Sequence, residues 1–213
     1  MEKLTIDDFR LMLRKSLERI REREEEFSKL DAITGDGDHG TAIVTALSAA
    51  VKSAEEGTDF KTMLNDMGFA VMMETSGSTS TLLGAFFLGM SDAVQGAELD
   101  ITGVRTMFAG GLANVRKQTK AVVGDKTMMD ALIPAVNAME ACQSDEICDL
   151  FATAACEAQK GAEATVDMVA RFGRARNYGE RSKGFMDSGA ASWSAMFAAF
   201  AESKNFLSTD FTD

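Results

Sequence analysis

The chain has 213 residues, 46% of them hydrophobic and 26% charged, with a formal net charge of −11. Low-complexity disorder is excluded at that composition, and the acidic balance excludes a general nucleic-acid binder, which needs a basic face. No apolar run approaches the ~18–20 residues that span a bilayer, and the N-terminus lacks the basic and apolar regions of a signal peptide. One compact domain over 1–213, in the cytoplasm and without a membrane partner, is expected. Cys142, Cys148 and Cys156 are odd in number, with no His or further Cys nearby to complete a zinc set; free thiols in a reducing compartment follow.

Taken in chain order, the apolar spacing predicts eight helices. The first covers 6–28, with Phe9, Met12, Leu13, Leu17 and Ile20 on one face, and opens with Thr5 and Asp8 as a capping box. Helices at 41–54, 59–74 and 79–94 follow. The second half repeats the pattern at 102–117, 127–141, 145–171 and 189–200. A single proline, Pro134, serves the whole chain, Ala and Met are abundant, and no strand-like alternation is seen. The expected fold class is all-α, built from helix hairpins. Four connections, 29–40, 74–79, 118–127 and 172–188, carry nearly all the unusual chemistry.

The stretch Leu30-Asp31-Ala32-Ile33-Thr34-Gly35-Asp36-Gly37-Asp38-His39-Gly40-Thr41 places three carboxylates among three glycines. Acids so close repel one another unless a cation sits between them. Hard oxygen ligands favour Mg²⁺ or Ca²⁺. A calcium EF-hand starting at Asp36 wants Asp or Asn at its fifth position and Glu at its twelfth, and finds Gly40 and Leu47. That excludes the EF-hand and leaves Mg²⁺ as the better reading. The bland alternative is an Asp/Gly turn that caps the helix near Thr41.

Three further segments point the same way. Ser76-Gly77-Ser78-Thr79-Ser80-Thr81 leads into an apolar helix, as an anion site or as ordinary N-capping. Gly124-Asp125-Lys126-Thr127 resembles a fragment of a phosphate loop but lacks the Walker spacing. Residues 173–184 concentrate Arg174, Arg176, Arg181 and Lys183, suited either to bidentate phosphate contacts or to a solvated salt-bridged loop. No nucleophile–base pair stands out, since the single histidine, His39, belongs to the acidic loop. Phosphoryl transfer needs mainly positioning and charge neutralisation, which such loops can supply.

The strings G-D-G-D-H-G-T at 35–41, G-D-K-T-M at 124–128 and G-E-R-S at 179–182, with Asp187-Ser188-Gly189, resemble in this order the nucleotide-binding L subunit, or L domain, of the dihydroxyacetone kinase family. The resemblance covers essentially the whole chain. It implies a closed barrel of eight amphipathic antiparallel helices with the nucleotide site at one end. Asp31, Asp36 and Asp38 would hold two Mg²⁺ ions. His39, Gly40, Thr41, Ser78, Thr79, Met128, Arg174, Asp187, Ser188 and Gly189 would contact ADP or ATP. Thr119 stands where the family has a glycine against the adenine.

The family's Gly-Gly-x-Ser-Gly-Pro loop is here Ser76 to Thr81, its Asp-Pro-Gly turn is Asp187-Ser188-Gly189, and its His-Gln is Phe185-Met186. These departures imply a divergent member, acting on a different ketose or tetrose. In the family the keto substrate sits covalently on a histidine of a separate K subunit, so the chain alone is expected to bind nucleotide without turnover. Two donors are implied: exchangeable ATP, or permanently bound ADP recharged by a phosphotransferase-system phosphocarrier. A homodimer and a non-enzymatic role as a nucleotide-sensing regulatory partner stay open beside these.

Overall fold

The structure, a computed structural model, describes residues 2–74 and 77–209, the last six by backbone alone; Ser76, the first residue of the expected second loop, lies outside the described residues. In chain order the elements are β1 (Leu4–Thr5), α1 (Ile6–Glu22), α2 (Glu24–Ala32), α3 (His39–Ala54), α4 (Phe60–Glu74), α5 (Ser78–Ala93), β2 (Glu98–Leu99), α6 (Ile101–Gln118), α7 (Met129–Ala141), α8 (Ile147–Ala164) and α9 (Ser188–Thr209). Two 3₁₀ segments, Thr165–Asp167 and Ala175–Ser182, lie between α8 and α9. The chain is all-α, as expected. Among the described residues its only sheet is the antiparallel pair β1–β2, Leu4 opposite Leu99, too short to leave an alternating pattern in sequence.

Each helix from α3 to α9 packs against the next, α9 returns to α1, and α1 lies against α3, so the packing closes on itself. The enclosed core is apolar and rich in phenylalanine. Phe108 meets Phe86, Phe151 and Phe200 edge-on with centroids 5.5–6.2 Å apart. Such pairs contribute about 0.5–1.5 kcal/mol each beyond the area they bury. Small residues set how near the helices come. A Cβ on Gly89 would stand 2.4 Å from the Gly110 carbonyl oxygen, and one on Gly161 would stand 1.8 Å from that of Asp130. Pro134 lies inside α7 and has no N–H to bond the carbonyl four residues back, which is that of Asp130. The carbonyl that proline leaves unbonded is therefore the one against which α8 packs through Gly161.

Three expected boundaries are corrected, the plainest being the last helix, which runs on to Thr209 rather than ending at 200. The long first helix breaks at Arg23 (φ −110, ψ 11), and α2 turns to bury Phe27 under the Arg23 guanidinium and to lie on α3, where Gly40 leaves no room for a Cβ beside the Glu24 carbonyl. Asp31 consequently rides on the last turn of α2 rather than on a free loop. The helix expected over 145–171 ends at Ala164, because the Thr165 hydroxyl donates back to the Ala162 carbonyl (2.5 Å) and the chain leaves in a 3₁₀ turn. No helix among the described residues is long and apolar enough to cross a membrane.

The end of the molecule that carries β1–β2 is internally satisfied. Thr5, Asp59 and Asp100 accept backbone amides in the first turns of α1, α4 and α6. Arg10 donates to the carbonyls of Ala54 and Gly57 at and just beyond the end of α3, and Arg105 to those of Met139, Cys142 and Ser144 at the end of α7. Those two cations also meet the negative dipole ends of α3 and α7.

Candidate functional site

The first residues of four helices, His39 of α3, Ser78 of α5, Met129 of α7 and Ser188 of α9, line one cavity of about 430 Å³. First-turn amides have no partner within their own helix, and the dipole places partial positive charge there. The N-cap residues of α3, α5 and α7, which are Asp38, Gly77 and Met128, make no side-chain capping hydrogen bond. α9 is closed by Asp187, whose carboxylate accepts the Ala190 amide (2.8 Å), and in α7 the Met129 amide donates to the Thr127 hydroxyl (3.2 Å), so the open starts are those of α3 and α5. The cavity is thus faced by helix starts suited to an anion.

Beside them, Asp31, Asp36 and Asp38 each offer a carboxylate oxygen, all within 4.8 Å of one another; this is the one cluster of three or more candidate metal-ligating side chains among the described residues. Asp31 accepts the Gly37 amide (2.8 Å), and a Cβ at Gly35 would stand 2.8 Å from both Asp31 carboxylate oxygens and displace that side chain. Gly37 completes the turn at φ +77. Burial, followed by the neighbouring charges of Asp36 and Asp31, pushes the Asp38 carboxyl above its usual range. The Arg174 guanidinium, ion-paired to Asp36, holds that carboxyl below its usual range. An acid cluster that spends none of the Asp38 carboxylate on capping does not fit the helix-cap alternative. It fits a hard divalent cation.

His39 is buried and reaches Thr79 Oγ1 through Nδ1 (3.2 Å) and Ser192 Oγ through Nε2 (2.9 Å). The Ser192 hydroxyl donates to the Gly189 carbonyl (3.0 Å), which assigns the imidazole proton to Nε2 and leaves Nδ1 to accept from Thr79. Burial lowers the pKa of His39, so a neutral ring ties α3, α5 and α9 together. Burial pushes the Asp187 carboxyl up to about 7.

Of the residues anticipated from sequence, Asp31, Asp36, Asp38, His39, Ser78, Thr79, Thr119, Met128, Arg174, Asp187, Ser188 and Gly189 all line this cavity. Gly40 and Thr41 do not. Gly40 is pressed against α2, and the Thr41 hydroxyl donates to Glu24 (2.9 Å). Gly189 admits Met128, whose Cβ would lie 3.1 Å from a Cβ built there. The hydroxyls of Ser80 and Thr81 donate back to the Gly77 carbonyl, which leaves Ser78 and Thr79 as the loop's cavity-lining members. Of the four cations at 173–184 only Arg174 lines the cavity; Lys183 pairs with Glu180, and Arg181 stacks over Tyr178. Sequence reasoning missed Ser192 and Asp130, and the apolar wall of Leu30, Leu82, Phe172 and Trp193. An aspartate within the apolar run at 128–133 was the signal available for Asp130.

The DAK2 domain family matches residues 33–202. The chain is 33% identical over 189 residues to the ADP-binding subunit DhaL of PEP-dependent dihydroxyacetone kinase 1 from Listeria innocua, covering 88% of this chain and 91% of that one. It is 35% identical to D-erythrulose kinase of Mycolicibacterium smegmatis over 82% of its own length and 31% of that enzyme's. Its fold matches the dihydroxyacetone kinase of C. freundii, whose crystal structures include one with AMP-PNP and Mg²⁺: the TM-score to the native form is 0.70 at 25% identity, covering 90% of this chain and 33% of that one. The chain therefore belongs to the DAK2 domain family, as a DhaL-like member.

Proposed function

We propose that residues 1–213 form one L domain that holds a magnesium–nucleotide complex, ADP or ATP with two Mg²⁺, and that the chain is the nucleotide subunit of a dihydroxyacetone-type kinase. The observation that carries this reading is the meeting of the α3 and α5 helix starts, whose N-cap residues make no side-chain cap, with the Asp31–Asp36–Asp38 cluster in one cavity. The names of the relatives support it: an ADP-binding subunit, and a kinase of a four-carbon ketose.

In this reading Asp31, Asp36 and Asp38 hold the cations, which when bound supply charge neutralisation along the phosphate chain. The first-turn amides of α3 and α5, with Ser78 and Thr79, orient the phosphates, and Arg174 adds a guanidinium suited to a phosphate oxygen. Leu82, Phe172, Met186 and Trp193 exclude water around the base. The acceptor is a hydroxyl of a small ketose, dihydroxyacetone or a related triose or tetrose, held on a separate K subunit. Without that subunit the chain binds nucleotide and turns nothing over. A phosphotransferase-system phosphocarrier is a further partner if ADP stays bound, and native mass spectrometry of the purified protein identifies that case by co-purifying ADP.

The test combines the chain with ATP, Mg²⁺, a K subunit and a panel of ketoses. Turnover is expected, and Asp36→Asn should abolish it while helical content by circular dichroism stays at the wild-type level. Nucleotide binding without turnover on any ketose points instead to a nucleotide-sensing regulatory partner. Failure of nucleotide and Mg²⁺ to raise the melting temperature overturns the site itself.

A further inference from the structure

Lys126 belongs to the segment that looks in sequence like a piece of a phosphate loop, and its side chain borders the cavity. Its ammonium is nevertheless committed elsewhere. Nζ donates to the Thr165 carbonyl (2.5 Å) and to the Phe185 carbonyl (2.5 Å), and it sits 4.7 Å from the centroid of the Phe185 ring. Only 2% of the residue is exposed. Its backbone is left-handed at φ 60, and it is the one residue other than glycine with positive φ among the described residues. Glycine or asparagine would adopt that conformation more cheaply, so the side chain is what the position needs.

The two carbonyls belong to separate pieces of the cavity wall. Thr165 lies in the turn after α8, and its hydroxyl accepts the Asp187 amide (2.9 Å), while the Gly184 amide donates to Val166 (2.8 Å). Phe185 opens the run Phe185-Met186-Asp187-Ser188-Gly189 that enters α9 and lines the cavity throughout. The turn carrying Lys126 is itself held by the buried Asp130, which accepts the amides of Gly124 (2.6 Å) and Thr127 (2.8 Å). One ammonium therefore joins three segments that are distant in sequence and adjacent only at this wall.

We propose that Lys126 is a positioning residue of the nucleotide site: it touches no phosphate, and it fixes the Phe185–Gly189 wall by occupying the carbonyls of Thr165 and Phe185. The proposal rests on the nucleotide reading above and separates from it by experiment. A lysine that contacts phosphate favours ADP over adenosine, which has no phosphate; a lysine that positions the wall supports both ligands alike.

Calorimetric titration of ADP with Mg²⁺, and of adenosine, into wild type and Lys126→Met at a temperature where circular dichroism shows both folded provides the test. The expected result is a loss of about tenfold or more that is equal for the two ligands. Lys126→Gly, which relieves the left-handed backbone while removing the ammonium, should show the same equal loss and serves if the methionine variant does not fold. Lys126→Arg, which keeps charge and donors, should recover part of the affinity for both ligands. Loss confined to ADP would make Lys126 a phosphate ligand and overturn the proposal, as would unchanged affinity in a destabilised but folded variant. Wild-type protein that binds neither ligand counts against the nucleotide reading instead.

Discussion

At the end of the molecule away from the cavity, Thr5, Asp59 and Asp100 cap α1, α4 and α6, Glu2 accepts the first amide of α8, and Arg10 and Arg105 take up carbonyls at the ends of α3 and α7. At the cavity end the N-cap residues of α3 and α5 make no side-chain cap, and three carboxylates crowd together. Capping side chains are typically worth about 1 kcal/mol each. Leaving them out on one end while supplying them on the other separates two tasks: internal bonds stabilise the far end, and the near end keeps its donors and its negative charge for a ligand. The Lys126–Thr165–Phe185 wall is the exception at the near end, since its polar groups are spent within the protein.

The sharpest way to break the comparison is Asp38→Asn. Neutralising one member of the acid cluster should abolish the nucleotide- and Mg²⁺-dependent stabilisation, about 2.7 kcal/mol at a ligand concentration one hundred times Kd. The ligand-free variant should be no less stable than wild type, because it relieves repulsion among the acids. A ligand-free variant with a lower melting temperature would show that the cluster serves the fold.

The mirror experiment is Arg105→Met. It leaves carbonyls at the end of α7 without their cation and should cost about 2 kcal/mol in urea unfolding, with nucleotide affinity unchanged. An affinity loss in that variant would mean that the two ends are not independent.

A smaller effect follows from Asp187. Its carboxyl, pushed up to about 7 in the folded chain from an ordinary 3.8, binds its proton more tightly when folded. It therefore contributes stability that is lost as pH rises from about 4 to about 7. Asp187→Asn should flatten that fall in the ligand-free protein, and parallel pH profiles for the two proteins would rule out the raised carboxyl.

What could be read from sequence divides along the same line. The acid cluster was legible because its ligands lie within eight residues and glycines separate them, so composition and geometry coincide. The helical segments were legible from apolar spacing, eight being expected where α1 to α9 are seen. The break at Arg23 was not, because the residues around it keep a helical pattern and the cause is the close approach of α2 to Gly40, known only from packing. The early end of α8 depends on Thr165 meeting Ala162, Asp187 and Lys126, partners that no local window contains together. The family resemblance grouped Gly40 and Thr41 with the site, but helical geometry turns them onto α2. The partners of Lys126 were not legible either: G-D-K-T resembles a fragment of a phosphate loop without the Walker spacing, and the carbonyls that the ammonium meets stand 39 and 59 residues away in sequence.

Because α3, α5, α7 and α9 all start at the cavity, the connections after α3, α5 and α7 fall on the other side of the molecule. This sorts the loops into two sets with different freedom to change. Residues 142–146, which join α7 to α8 through exposed Gln143, Asp145 and Glu146, can accept a reporter peptide or a tether to another protein without reaching the ligand, provided the carbonyls held by Arg105 keep their place. An engineer seeking a handle, or a lineage fusing this domain to a partner, has its open ground there.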